Sequence, residues 1–122
     1  MLDMRQVRET FDASQDFTVG LEEEFAILDP RSRSLVQRFE ELRDAAQADP
    51  VLARSVAGEL ISSEIEIRSG RGETFAEAVA LQAEARERLF RLAADHDVLL
   101  AATGTHPWSP WQEQKIIDTE HY

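Results

Sequence analysis

The sequence predicts one mixed domain of strands and helices, of the α/β or α+β class. Three observations predict it. Apolar residues alternate with period two over residues 17–28 and again over 59–68. A long stretch of helical spacing opens on Thr74-Phe-Ala-Glu77, which fits a capping box. Strands and helices alternate along the chain, with no repeat or low-complexity linker between them. The 122 residues suffice for one domain with a modest core.

Residues 1–16 are mixed and polar. They read as an N-terminal arm with a short helix around 4–11. The main domain is expected over 17–122. In the strand at 17–28, Val19, Leu21, Phe25 and Ile27 share one face. Thr18, Gly20, Glu22, Glu24, Ala26 and Leu28 share the other. "DPRSR" at 29–33 is a turn with Pro30 at its second position, and 34–38 reads as a short return strand. Residues 39–48 have helical spacing, with Phe39, Leu42, Ala45 and Ala46 on one side. Asp49-Pro50 reads as a cap followed by Pro at the first helical position, opening a short helix that ends near Gly58.

"ELISSEIEIR" at 59–68 is the second strand. Ile61, Ile65 and Ile67 face one way; Leu60, Ser62, Glu64, Glu66 and Arg68 face the other. After the turn "SGRGE", the capping box opens a helix to about Asp95, with Phe75, Val79, Leu89 and Leu92 turned inward. Residues 97–103 form a third strand, apolar enough to be interior. "GTHPWSPW" is a loop. Three strands make a thin sheet, and the sequence given ends just after this loop. The expectation is an incomplete domain.

The chain carries 24 acids against 13 bases, a net charge of −11. Such a chain repels phosphate backbones, so nucleic acid is not an expected partner. An acidic surface can still take a nucleotide if divalent cations bridge the two. There is no cysteine, hence no disulfide framework and no thiolate metal site, and a reducing, cytoplasmic setting is expected. The first residues are too polar for a signal peptide. No apolar run approaches the roughly 20 residues that cross a bilayer, so no membrane partner is expected.

Three consecutive glutamates, Glu22 to Glu24, interrupt the first strand, although Glu is a poor strand former and like charges repel. Alternation puts Glu22 and Glu24 on one face and Glu23 on the other. The second strand repeats the pattern with Glu64 and Glu66. If the strands are neighbours, four carboxylates line one surface, with residues two apart separated by roughly 6–7 Å. A hard divalent cation such as Mg²⁺ or Mn²⁺ would cancel their repulsion, and Mg²⁺ commonly shares its shell with phosphates. The plainer reading is a solvated acidic face. Two Glu-x-Glu pairs, each opposite a clean apolar face, weigh against it.

His106 sits in the loop after a strand, where functional residues concentrate. Gly70 and Gly72 precede a helix, but neither a P-loop nor G-x-G-x-x-G is present. A zinc site using His106 lacks H-E-x-x-H or similar spacing. Trp108 and Trp111 read as packing residues or pocket walls.

"FTVGLEEEFAILDP", "GELISSEIEIRSG" and "LLAATGTHPWSPWQEQKIIDTEHY", in that order and spacing, resemble the N-terminal third of the type 2 glutamate–cysteine ligase family. These are ATP-dependent carboxylate–amine ligases of the glutamine synthetase superfamily. The resemblance implies an α+β fold: a curved, mainly antiparallel sheet with helices on its outer face. It further implies ATP, Mg²⁺ or Mn²⁺, a carboxylate and an amine substrate, and an acyl-phosphate intermediate. Position by position, Glu22, Glu24 and Glu66 match metal-binding acids, and Glu59 matches an acidic position upstream of Glu66. Thr105 and His106 match a loop bordering the nucleotide and substrate site. Glu64 has no counterpart and is nominated by spacing alone. His121 stands where the family has Arg, which weakens any anion contact there at pH 7. The family chain is much longer. The expectation is therefore an inactive fragment completed by more chain, by a homo-oligomeric copy or by a partner. Two rivals are a non-catalytic module that pairs through its sheet edge and a metal-dependent hydrolase using His106.

Overall fold

In the computed structural model, which describes residues 3–117, the strands pair into one open four-stranded sheet. The elements in chain order are α1 (Met4–Asp12), β1 (Glu22–Leu28), α2 (Phe39–Ala46), α3 (Leu52–Ser55), β2 (Val56–Ala57), β3 (Glu64–Arg68), α4 (Phe75–Asp95) and β4 (Leu99–Ala101). One 3₁₀ turn follows at Trp111–Glu113. The sheet order is β2-β3-β1-β4, and every neighbouring pair is antiparallel. The fold is therefore α+β, as the sequence predicts.

The apolar face of the sheet builds the core. Phe25 and Ile27 from β1 and Ile65 and Ile67 from β3 are essentially buried. They pack against Phe39, Leu42 and Ala46 of α2, Leu52 of α3, and Ala85, Leu89 and Ala93 of α4. Burying each large side chain stabilises the fold by about 1.5–3 kcal/mol. Alternation sends Glu22, Glu24, Glu64, Glu66 and Arg68 to the opposite face. The arm contains α1, capped by Asp3, which accepts a hydrogen bond from the Arg5 N–H at 2.9 Å; none of its residues is buried. Among the described residues, no helix is long and apolar enough to cross a membrane.

Several element bounds differ from the sequence expectation, each for a local reason. The first strand starts at Glu22 rather than 17: Phe17 sits at φ +68°, outside the extended region, and the Leu21 N–H donates to Ser69 Oγ at 3.0 Å instead of to a ladder carbonyl. Only a bridge from Val19 to Gly72 survives upstream. The return strand at 34–38 reduces to a bridge between Leu28 and Leu35. Asp49 does act as a cap, accepting from Val51 N–H at 2.8 Å and Leu52 N–H at 3.2 Å. The helix it opens stops at Ser55, since Val56 turns extended to pair with Ile67 and makes a fourth strand.

Residues 59–63 leave the expected second strand. There Ile61 bridges to Ile116, the Ser62 N–H donates to the Lys115 carbonyl at 2.8 Å, and the Ile117 N–H donates to the Leu60 carbonyl at 3.1 Å. Among the described residues the last strand lies at the edge of the sheet, not inside it, and it begins only at Leu99 because Asp97 adopts φ +52°. In α4 the inward face is Ala78, Gln82, Ala85, Leu89 and Ala93, while Phe75 and Val79 are exposed. Small side chains let the helix lie close on the sheet.

Candidate functional site

The antiparallel register of β1 and β3 builds the site. Glu24 stands directly opposite Glu66, Glu22 opposite Arg68, and Ala26 opposite Glu64. Directly opposed residues share a face, with Cβ atoms about 4.5–5.5 Å apart. Two glutamates in that position repel unless something cationic joins them.

Glu59 is the third acid. It comes not from a strand but from the irregular run between β2 and β3, which the pairing with residues 115–117 holds in place. Ser62, fully buried, anchors that run: its carbonyl accepts from the Phe39 N–H at 2.9 Å and its hydroxyl lies 3.2 Å from a Glu40 carboxylate oxygen. Glu24, Glu59 and Glu66 each offer a carboxylate oxygen, and these oxygens all lie within 4.8 Å of one another. Burial pushes the Glu59 carboxyl above its ordinary range, and a hydrogen bond to Glu66 and the charges of Glu24 and Glu66 push the same way. Burial likewise raises Glu64, with the charges of Glu24 and Glu59 adding to it.

Arg68 spans this face. Its Nε contacts Glu66 Oε1, its Nη2 donates to Glu66 Oε2 at 3.2 Å, and its Nε lies 3.4 Å from Glu22 Oε1. The bond to Glu66 holds the guanidinium proton above the usual Arg range. Glu66 is only 2% exposed, whereas the Arg68 side chain is half exposed.

The donor set fits a hard divalent cation. Three carboxylates from three separate segments converge, with only oxygen ligands and, among the described residues, no soft or imidazole donor. Of the acids nominated from sequence, Glu24, Glu66 and Glu59 are brought together. Glu22 lies on the same face but is engaged with Arg68, and Glu64 lies outside the close trio.

The loop residues have other contacts. Thr105 is exposed. His106 Nδ1 accepts from the Ser109 N–H at 3.1 Å, which leaves its Nε2–H to donate to the Arg33 carbonyl at 2.8 Å. Its ring meets Trp108 edge-on at 4.8 Å. His106 thus braces its loop against the turn after β1 and lies outside the trio of Glu24, Glu59 and Glu66. Trp108 and Trp111 are exposed. His121 lies outside the described residues. Sequence reasoning gave Arg68 no role, although the alternation "EIEIR" itself places it on the acidic face.

Comparison with known proteins adds the following. The family model described as glutamate-cysteine ligase family 2 matches residues 18–122. A Rubrobacter xylanophilus protein named "Putative glutamate--cysteine ligase 2-3" is 37% identical over 112 residues, covering 92% of this chain and 31% of its own. Similarly named proteins are 33% identical in Chloroflexus aurantiacus, over 91% of this chain and 28% of theirs, and 36% identical in Herpetosiphon aurantiacus, over 87% and 27%. The chain spans just under a third of the length of the curated relatives it matches.

Proposed function

This chain belongs to glutamate-cysteine ligase family 2, and from that premise we propose that it is the N-terminal portion of an ATP-dependent carboxylate–amine ligase of the glutamate–cysteine ligase kind. The observation that carries the proposal is the convergence of Glu24, Glu59 and Glu66 from three segments onto one face of the sheet. In the proposed reaction a substrate carboxylate oxygen takes the γ-phosphoryl group of ATP and ADP leaves. The amine nitrogen then attacks the acyl carbon, the carbon–oxygen bond to the phosphoryl group breaks, and inorganic phosphate leaves with the proton the amine gives up.

Bringing an anionic carboxylate to a triphosphate is opposed by charge. Bound Mg²⁺ or Mn²⁺ supplies the screening of that repulsion and stabilises the transferring phosphoryl group. Glu24, Glu59 and Glu66 would hold the ion, with Glu22 beside them on the same face. The rigid β1–β3 pairing fixes Glu24 against Glu66, and the pinned 59–63 run brings Glu59 to them. Thr105 and His106 belong to a loop proposed to border the nucleotide, in a cytoplasmic setting that supplies ATP. These 122 residues match less than a third of each relative. We infer that they carry the metal site without turning over ATP by themselves.

Mn²⁺ titration followed by electron paramagnetic resonance tests the reading on the 122-residue chain. Wild type is expected to bind, and Glu24→Gln and Glu66→Gln each to weaken binding by about tenfold or more. A chain that leaves Mn²⁺ free at millimolar concentration, both as wild type and as Arg68→Gln, overturns it.

A second reading has its own observation. β4 pairs only with Ala26–Leu28 of β1, so Glu22–Phe25 have no strand on that side among the described residues. A further strand, from more of the same polypeptide, a second copy or a partner, would complete the sheet there. Sedimentation of the isolated chain as a monomer at all concentrations would exclude the second copy.

A further inference from the structure

Building on the metal site proposed above, we propose that Arg68 is a tethered cation that holds the acidic cluster together without a metal, and that a divalent ion must displace it. A carboxylate as buried as Glu66 is costly to leave uncompensated. Here both its oxygens are taken by one guanidinium: Nε contacts Oε1, and Nη2 donates to Oε2 at 3.2 Å. The same Nε lies 3.4 Å from Glu22. One side chain therefore bridges acids of β1 and β3 across the acidic face.

Glu66 belongs to two sets at once. It is the partner of Arg68, and it is one of the three acids whose oxygens gather within 4.8 Å. A divalent ion on those oxygens would sit next to a guanidinium, and like charges at contact range in a partly dry site repel strongly. The two cations compete for Glu66. With its side chain 52% exposed, Arg68 can swing into solvent without disturbing the core. The apparent metal affinity is then the intrinsic affinity reduced by the fraction of molecules in which Arg68 holds the site.

The test is Mn²⁺ titration by electron paramagnetic resonance, with thermal melts in and out of Mn²⁺, on the 122-residue chain as wild type, Arg68→Gln and Arg68→Lys. Arg68→Gln is expected to bind Mn²⁺ about tenfold tighter than wild type. Its melting temperature falls below wild type without metal, and the gap closes at saturating Mn²⁺. A merely structural arginine would leave the gap unchanged. Arg68→Lys keeps the charge but loses the two-pronged grip, so its affinity falls between the other two. If Arg68→Gln does not fold, Arg68→Lys decides alone. Affinity equal to or weaker than wild type overturns the proposal. If wild type binds Mn²⁺ and Glu66→Gln weakens that binding, but the Arg68 variants bind no tighter than wild type, the metal site stands and only the role of Arg68 falls. When wild type and both Arg68 variants all leave Mn²⁺ free, the metal site itself falls too.

Discussion

Glu41 shows what a single partner set does to a carboxyl. It accepts from Arg38 Nε at 2.7 Å and lies 2.8 Å from His96 Nδ1. Arg38 first, then His96, lowers its pKa from 4.5 to about 2. A carboxyl with a depressed native pKa binds fewer protons folded than unfolded. Its contribution to stability is therefore present above pH 4.5 and is lost as the pH falls towards 2. Urea midpoints should place Glu41→Gln below wild type at pH 6, with the difference shrinking between pH 4.5 and 2. For His106, removal of its contacts with the Arg33 carbonyl and the Trp108 and Ser109 N–H groups should cost about 1 kcal/mol. Hydrogen exchange should speed at Ser109, while Mn²⁺ binding stays unchanged in His106→Ala. At this scale the site was half legible. Period-two alternation suffices to pair Glu24 with Glu66, because both lie on regular strands. It fails for Glu59, which alternation would send to the apolar face and which reaches the cluster from an irregular run.

Elements were legible wherever local chemistry decides them. Thr74 caps α4 by accepting from the Glu77 N–H at 3.1 Å, as the capping box foretells, and the helix ends at Asp95. Thr74→Ala should lower stability by about 1 kcal/mol in chemical denaturation. Elements that exist through distant partners were not legible. β2 is two residues long and owes its strand geometry to Ile67 and Glu66. On α4 Leu89 and Leu92 do turn inward, but Phe75 and Val79 were misread because they are more hydrophobic than the alanines that actually touch the sheet. The same close approach governs the turn before it. A Cβ at Gly72 would lie 2.8 Å from the Ala78 backbone nitrogen and 3.0 Å from the Thr74 carbonyl, neither of which yields easily. Gly72→Ala should therefore destabilise by about 1–3 kcal/mol, read from the same denaturation curves.

For the whole molecule, net charge and the shared acidic face act together. A chain at −11 repels itself, and any salt relieves part of that. A site-bound ion relieves more, because it sits where the acids are densest. Melting temperature should thus rise further with Mg²⁺ or Mn²⁺ than with NaCl of equal ionic strength; equal rises would mean screening alone. Periodicity narrowed the class to α/β or α+β, and the family resemblance implied α+β, which the antiparallel sheet shows. The length of the curated relatives, more than three times the matched stretch, is not written in these residues at all. One consequence reaches beyond the site. Glu24 and Phe25 are consecutive, one aimed at the acidic face and the other into the hydrophobic interior. A screen for loss-of-function alleles would return interior positions along β1 as readily as its charged ones, and sorting the two would require a folding assay beside every functional score.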